Sequence, residues 1–360
     1  MARIFSVNGE GNYAYACARV KARKSLLLPK DTYPRFLNMD LPQIGRAIGE
    51  GQYRREVDEL SPTHAGVDLI ERATYLNLAR TYHSVLEFTK GELHSMVSLF
   101  LNRWDVYNFK TVLRGKLAGV DWRHVEEELV PAGAFHVPLF RSLFESGGPE
   151  EMAALLGRAA QSYGLEPVLL RLIREHGGAL PDLARLENEM EREYYHRLLE
   201  AVPENTRANR LFLGYLRVES DVVNLKTLFK LKFGEAAVQN ASELLIPAGE
   251  ELTPAVQKAL VAAEGYGAFL AELSRLKLYE RLREPASSAA AQGSLNEVLL
   301  ALDRHLMQRA LSFSHLYPLS VLPVIDYLLR KRTEVDNIRI IARGKQSGLP
   351  EETIRGLLML

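Results

Sequence analysis

The stretch DVYNFKTVLRGK, Asp105 to Lys116, occurs in two further versions along the chain: DVVNLKTLFKLK, Asp221 to Lys232, and EVDNIRIIARGK, Glu334 to Lys345. Aligned on the asparagine, all three read acid, Val, any residue, Asn, apolar, basic, any residue, apolar, any residue, basic, any residue, Lys. An ungapped match of this kind is an internal repeat, and it decides how the rest of the chain is read. The copies lie roughly 115 residues apart, far beyond the ~20 to 50 residues of solenoid repeats, so each repeating unit is the size of a domain.

At about 100° per residue the motif makes an amphipathic helix. Val106, Phe109, Val112 and Leu113 form one apolar stripe, with Asp105 and Asn108 at its edge and Lys110 and Arg114 on another flank. The stripe is expected to pack in a core. The acid and the amide, Asp105 with Asn108, Asp221 with Asn224 and Glu334 with Asn337, are structural residues expected to satisfy nearby backbone or side-chain groups. A functional role falls to the repeated cations: Lys110 with Arg114, Lys226 with Lys230, and Arg339 with Arg343 would stand around a common axis and line a partner-binding surface.

Outward from the motif the periodicity is helical almost everywhere. PTHAGVDLIERATYLNLARTYHSVLEF, PDLARLENEMEREYYHRLLEAV and SLNEVLLALDRHLMQRALSF each open one unit, with a second helical segment and then the motif following. ARIFSV at the start is the main strand-like run. The fold class is therefore all-α. Beyond the motif, LVPAG in unit one and LIPAG in unit two place Pro131 and Pro247 equally far past Asn108 and Asn224. Unit three stops soon after its motif, at Leu360, whereas LLLPKDTYP near the N-terminus resembles the missing section. The expected organisation is an N-terminal segment 1–60 that completes unit three, then unit one at 61–175, unit two at 176–285 and unit three at 286–360.

Composition narrows the function. With 47% apolar and 25% charged residues the 360-residue chain is globular. Lys+Arg and Asp+Glu balance at 45 each, which gives no global support for nucleic-acid binding. Cys17 is the single cysteine, so no intramolecular disulfide forms, and a cytoplasmic setting is expected. No apolar run reaches the ~18 to 20 residues of a membrane span. Gly9, Gly11 and Ala14 make a G-x-G-x-x-A match without the βαβ context that dinucleotide binding needs, so a turn leading into a helix explains it better. No H-E-x-x-H and no G-x-S-x-G occurs, and the carboxylates of ENEMERE read as a solvated helix face. No catalytic residue, metal or cofactor is expected.

Taken together, YAYACARVKARKSLLLPKDTYPRFLNM, LNRWDVYNFKTVLRGK, LLIPAG and EVDNIRIIARGK resemble the C subunit of the archaeal and bacterial A-type or V-type ATPases, counterpart of the eukaryotic d subunit. The resemblance implies three related helical units around a pseudo-threefold axis, forming a funnel. It also implies a non-catalytic central-stalk adaptor, peripheral to the membrane and a monomer within a hetero-oligomer. Its partners would be the membrane proteolipid ring and the central-stalk subunits, and it would transmit torque for ATP-driven proton or sodium pumping or for ion-driven ATP synthesis. Against the family pattern PASSAAAQGS, Pro285 to Ser294, reads as a variable linker. The alternative is a helical scaffold with soluble partners, unrelated to rotary ATPases.

Overall fold

Helix follows helix along the whole of the computed structural model, which describes residues 11–159, 164–177, 183–234 and 241–360. No strand occurs among the described residues. ARIFSV and Gly9 lie outside them, while Gly11 leads into a helix at Tyr13–Lys24. The described parts of Val7–Thr111, Asp121–Val137 and Ser314–Leu360 form one compact unit, and those of Val112–Val120 and Pro138–Phe313 form another.

The unit that contains Tyr13–Lys24 and the C-terminal residues is organised by the helix Leu322–Gln346, which carries the third motif. Buried residues lie all round it, among them Leu322, Ile325, Leu328, Val335, Ile338 and Ile341. Such a helix has to be surrounded by others. Gly66–Phe88 packs against it through Ile70, Leu78, Tyr82 and Val85, and the Tyr82 hydroxyl donates to the Leu328 carbonyl at 2.8 Å. Tyr13–Lys24 packs on it as well, with Ala16, Cys17 and Val20 buried.

The other unit is built on Arg207–Phe233, which carries the second motif. Thr206 caps its start, the side chain accepting from Asn209 N. Leu225, Leu228 and Phe229 meet Phe269, Leu273, Leu282 and Leu302 in a continuous core. Each such large apolar side chain contributes about 1.5–3 kcal/mol on burial.

Three expectations need correcting. The segment Pro285–Ser294 is not a linker: it runs through the helix Tyr279–Gln292 as far as Gly293, with Pro285 inside the helix. Its alanines favour helix, Ala286 and Ala289 are buried, and the Tyr266 hydroxyl donates to the Ala286 carbonyl at 2.8 Å. The ENEMERE face is not wholly solvated either, because Glu189 is buried and accepts from Arg171 at 2.8 Å. The second helical segment and the motif, read as separate, are one helix in units two and three, while in unit one Gly91–Leu101 is followed by Arg103–Leu117.

Candidate functional site

The motif acids and amides are not at the edge of the apolar stripe but buried with it: Asp105 and Asn108 are 0% exposed. Asn108 donates from Nδ2 to the Val130 carbonyl at 2.8 Å and accepts from Val130 N at 2.9 Å. Asn224 does the same to Ile246, at 2.9 and 2.8 Å, and Asn337 to Met359, at 2.9 and 2.9 Å. The amide offers a donor and an acceptor side by side, which an ionised aspartate, an acceptor only, cannot do. Each asparagine thus clasps one residue's backbone at the same distance along the chain.

The acid binds the backbone just beyond. Asp105 accepts from Ala134 N at 2.8 Å and Phe135 N at 3.1 Å. Asp221 accepts from Glu250 N, Glu251 N and Leu252 N at 3.0, 2.8 and 3.0 Å. Burial nevertheless pushes the Asp221 carboxyl up to about 6, the three N–H donors and the nearby Glu250 charge being lesser influences. The glycine of the PAG turn is explained by the same contact. A Cβ at Gly133 would fall on the Asp105 carboxylate, and one at Gly249 on that of Asp221 and near the Leu252 carbonyl.

The final lysine of the motif holds a helix end. Lys116 donates to the Phe144 and Ser146 carbonyls, both at 2.6 Å, where the helix Val137–Glu145 stops. Lys232 donates to Val261 O at 2.7 Å and Ala263 O at 2.6 Å, at the end of Pro254–Ala262. Cations are stabilising at such termini, where carbonyls lack helical partners.

In the third copy these contacts are divided between the two ends of the chain. Asn337 clasps Met359, but Lys345 donates to Leu37 O at 2.6 Å, at the end of the helix Thr32–Leu37. Glu334 accepts from Leu28 N at 2.5 Å, from the Tyr53 hydroxyl at 2.6 Å and from Lys331 at 2.7 Å.

Of the six candidate partner-binding cations, five have partners inside the chain among the described residues. Arg114 forks onto Glu187 at 2.5 and 2.6 Å, and Lys226 pairs with Asp303 at 2.6 Å. Arg339 pairs with Glu71 at 3.1 Å and stacks on the Tyr75 ring, 3.9 Å from its centroid. Arg343 hydrogen-bonds both Glu71 and Glu128, and its pKa is raised chiefly by the Glu71 bond. Lys110 is half-buried. Lys230 is exposed, and its side chain has no ion pair or hydrogen bond among the described residues.

The acids Glu71, Glu187 and Asp303 sit on the helices Gly66–Phe88, Leu183–Ala201 and Asn296–Leu316. Arg114, Lys226 and Arg343 therefore each reach an acid distant in sequence, from the first motif to Leu183–Ala201, from the second to Asn296–Leu316 and from the third to Gly66–Phe88. Sequence reasoning missed these acids. Their signal was an apolar–acid pair, Ile70-Glu71, Leu186-Glu187 and Leu302-Asp303, spaced evenly and by the same interval as Asn108 and Asn224.

Among the described residues no group of three His, Cys, Asp or Glu side chains could hold a metal ion, and no helix is long and apolar enough to cross a membrane. The family model for the ATP synthase (C/AC39) subunit matches residues 16–357. Three archaeal proteins, each named as the C subunit of an A-type ATP synthase, are similar over nearly their whole length. That of Methanococcoides burtonii is 37% identical over 352 residues, 97% of this chain and 94% of the relative. That of Methanosarcina acetivorans is 37% identical over 98% and 94%, and that of Archaeoglobus fulgidus 32% identical over 97% and 96%. With its three clasps inside the matched length or at its edge, the chain belongs to the ATP synthase (C/AC39) subunit family.

Proposed function

We propose that this chain is the non-catalytic adaptor of a rotary A/V-type ATPase, seated on the membrane proteolipid ring and holding the central stalk. ATP hydrolysis in a separate head would turn the stalk, and the adaptor would pass torque to a ring that moves protons or sodium ions; in synthesis the flow reverses. The observation that carries this reading is the match to the family over residues 16–357, in a chain whose three motifs are each locked by an asparagine clasp.

Torque transmission needs stiffness. We propose three units about a pseudo-threefold axis, funnel-shaped, with units at 61–175, 176–285 and 286–360 and residues 1–60 completing the third. The bonds from Glu334 to Leu28 and from Lys345 to Leu37, and the ion pairs running from each unit to the next, support that closure. A closed body has no loose terminal repeat, unlike a linear array whose members touch only their neighbours.

The repeated cations then serve two tasks. Arg114, Lys226, Arg339 and Arg343 tie units together, and the exposed Lys230 is left for acidic groups of the stalk. Lys230→Glu is expected to weaken stalk binding without lowering the melting temperature, whereas Lys226→Glu lowers it by opposing Asp303. The experiment for the whole reading is affinity purification of the tagged chain from mildly solubilised membranes, followed by mass spectrometry. Recovery of a small apolar ring protein with stalk and ATP-hydrolysing subunits supports it; recovery of soluble proteins alone refutes it and favours a scaffold.

A further inference from the structure

A cleft of ≈ 360 Å³ opens between the helices Tyr13–Lys24, Arg54–Leu60, Gly66–Phe88 and Leu322–Gln346, and none of the three clasping asparagines or six repeated cations lines it. Four cations line it, Arg23, Arg55, Arg80 and Lys331, against a single carboxylate, Glu56. The acids nearby already have cationic partners. Arg80 donates to Glu56 at 2.9 Å and to Glu59 at 2.6 Å, and Lys331 donates to Glu334 at 2.7 Å.

Arg23 and Arg55 are left without a carboxylate. Arg23 donates to the Ser84 hydroxyl at 2.8 Å and lies over the Phe88 ring. Arg55 is exposed, and its side chain makes no ion pair or hydrogen bond among the described residues. The remainder is a built site and not a chance meeting of surface side chains, because Lys331 and Glu56 are 3% and 2% exposed. Two of the three Lys331 donors go to Glu334 and to Tyr53, the latter at 3.0 Å. Burial pulls the Lys331 ammonium below its ordinary pKa, so a further anion beside it would favour its charged form.

We propose that this cleft binds a phosphate group, held by the Arg23 and Arg55 guanidiniums with the Lys331 ammonium beside it. Guanidinium presents paired N–H donors that match phosphate oxygens, which is why arginine recurs where phosphate is recognised. The volume lies within the ~300–1,000 Å³ of small-molecule sites, so the phosphate can carry a substituent. Thr81, Ser84 and Gln52, all on the lining, offer hydroxyl and amide groups to a polar one. The phosphate would come from a soluble ester or from a phospholipid headgroup. The proposal does not rest on the stalk role and survives or fails apart from it.

The test uses the purified full-length chain in two arms, at constant ionic strength. One arm titrates inorganic phosphate by calorimetry. The other floats the protein with vesicles of phosphatidic acid in phosphatidylcholine, against phosphatidylcholine alone. Binding in the first arm, or in the second alone, is expected, the latter assigning the headgroup as source. Arg55→Glu and Arg23→Gln should each weaken that binding by about tenfold or more, while Arg35→Glu, an exposed cation outside the cleft, leaves it unchanged. Because Arg55 is exposed, its replacement keeps the test valid if Arg23→Gln fails to fold. No binding in either arm, binding indifferent to Arg55→Glu, or an equal loss in Arg35→Glu overturns the proposal.

Discussion

Replacing the clasping asparagines one at a time should give unequal losses of stability, and the inequality follows from what each leaves behind. Asn224→Ala removes both bonds to Ile246, which is itself buried. The Ile246 carbonyl keeps two donors, Gln257 Nε2 at 2.9 Å and Ala248 N at 2.8 Å, so only its N–H is orphaned. A buried unsatisfied donor costs about 1–3 kcal/mol, and the truncated side chain adds about 1 kcal/mol for the space it vacates. Asn108→Ala is equivalent: the Val130 carbonyl keeps Ala132 N at 2.7 Å while its N–H is stranded. Both variants should lose about 2–4 kcal/mol. Asn337→Ala should lose less, about 1–2 kcal/mol, because Met359 is only partly buried and water can replace the amide on its backbone, although the Tyr33 hydroxyl also loses a side-chain partner. The assay is urea unfolding of the full chain followed by far-ultraviolet circular dichroism, with separate transitions fitted where the two compact units unfold apart. Asn108 and Asn337 lie in the same compact unit, so their variants shift the same transition and can be compared directly. An Asn337→Ala loss as large as that of Asn108→Ala, or an Asn224→Ala loss under about 0.5 kcal/mol, refutes the reasoning.

Three further outcomes are expected. Gly133→Ala and Gly249→Ala should each destabilise by about 1–3 kcal/mol through overpacking against the motif carboxylate; melting temperatures equal to wild type would show that the acid moves aside freely. Asp221 titrates at about 6 when folded, above its ordinary 3.8, so the native state binds the extra proton between those values. Its contribution is therefore complete below about pH 4 and is lost as the pH rises through about 6, on the order of 3 kcal/mol, and Asp221→Asn should flatten that fall. Parallel pH–stability curves for the two proteins would contradict this. Across Arg114 and Glu187, a double-mutant cycle should give a coupling of about 0.5–1 kcal/mol that shrinks with salt, since Arg114 is 52% exposed. Strict additivity of the single losses would remove the ion pair from the account of how units are tied.

The motif helix was legible because helical faces are local. Val106, Phe109, Val112 and Leu113 share a side through the 3.6-residue period alone, and all four are buried. Local patterns mislead where composition points away from packing. Pro285–Ser294 read as a linker because it departs from the family pattern, yet its Ala286 and Ala289 are buried on a helix. The acids Glu71, Glu187 and Asp303 escaped notice because their partners are far along the chain, and an acid on a helix face is usually just solvated.

By itself the sequence determined that the protein is helical, that a unit recurs three times and that the chain resembles one family. All of these rest on periodicity and on residue identity at fixed intervals. Only the tertiary structure decided what the repeated residues do. Which backbone groups Asp221, Asn224 and Lys232 bind, and that Glu334 and Lys345 reach back to Leu28 and Leu37, depends on where distant segments come to rest. A hydrogen bond is set by donor and acceptor positions within about 3 Å, and sequence spacing does not encode such positions until the helices have packed.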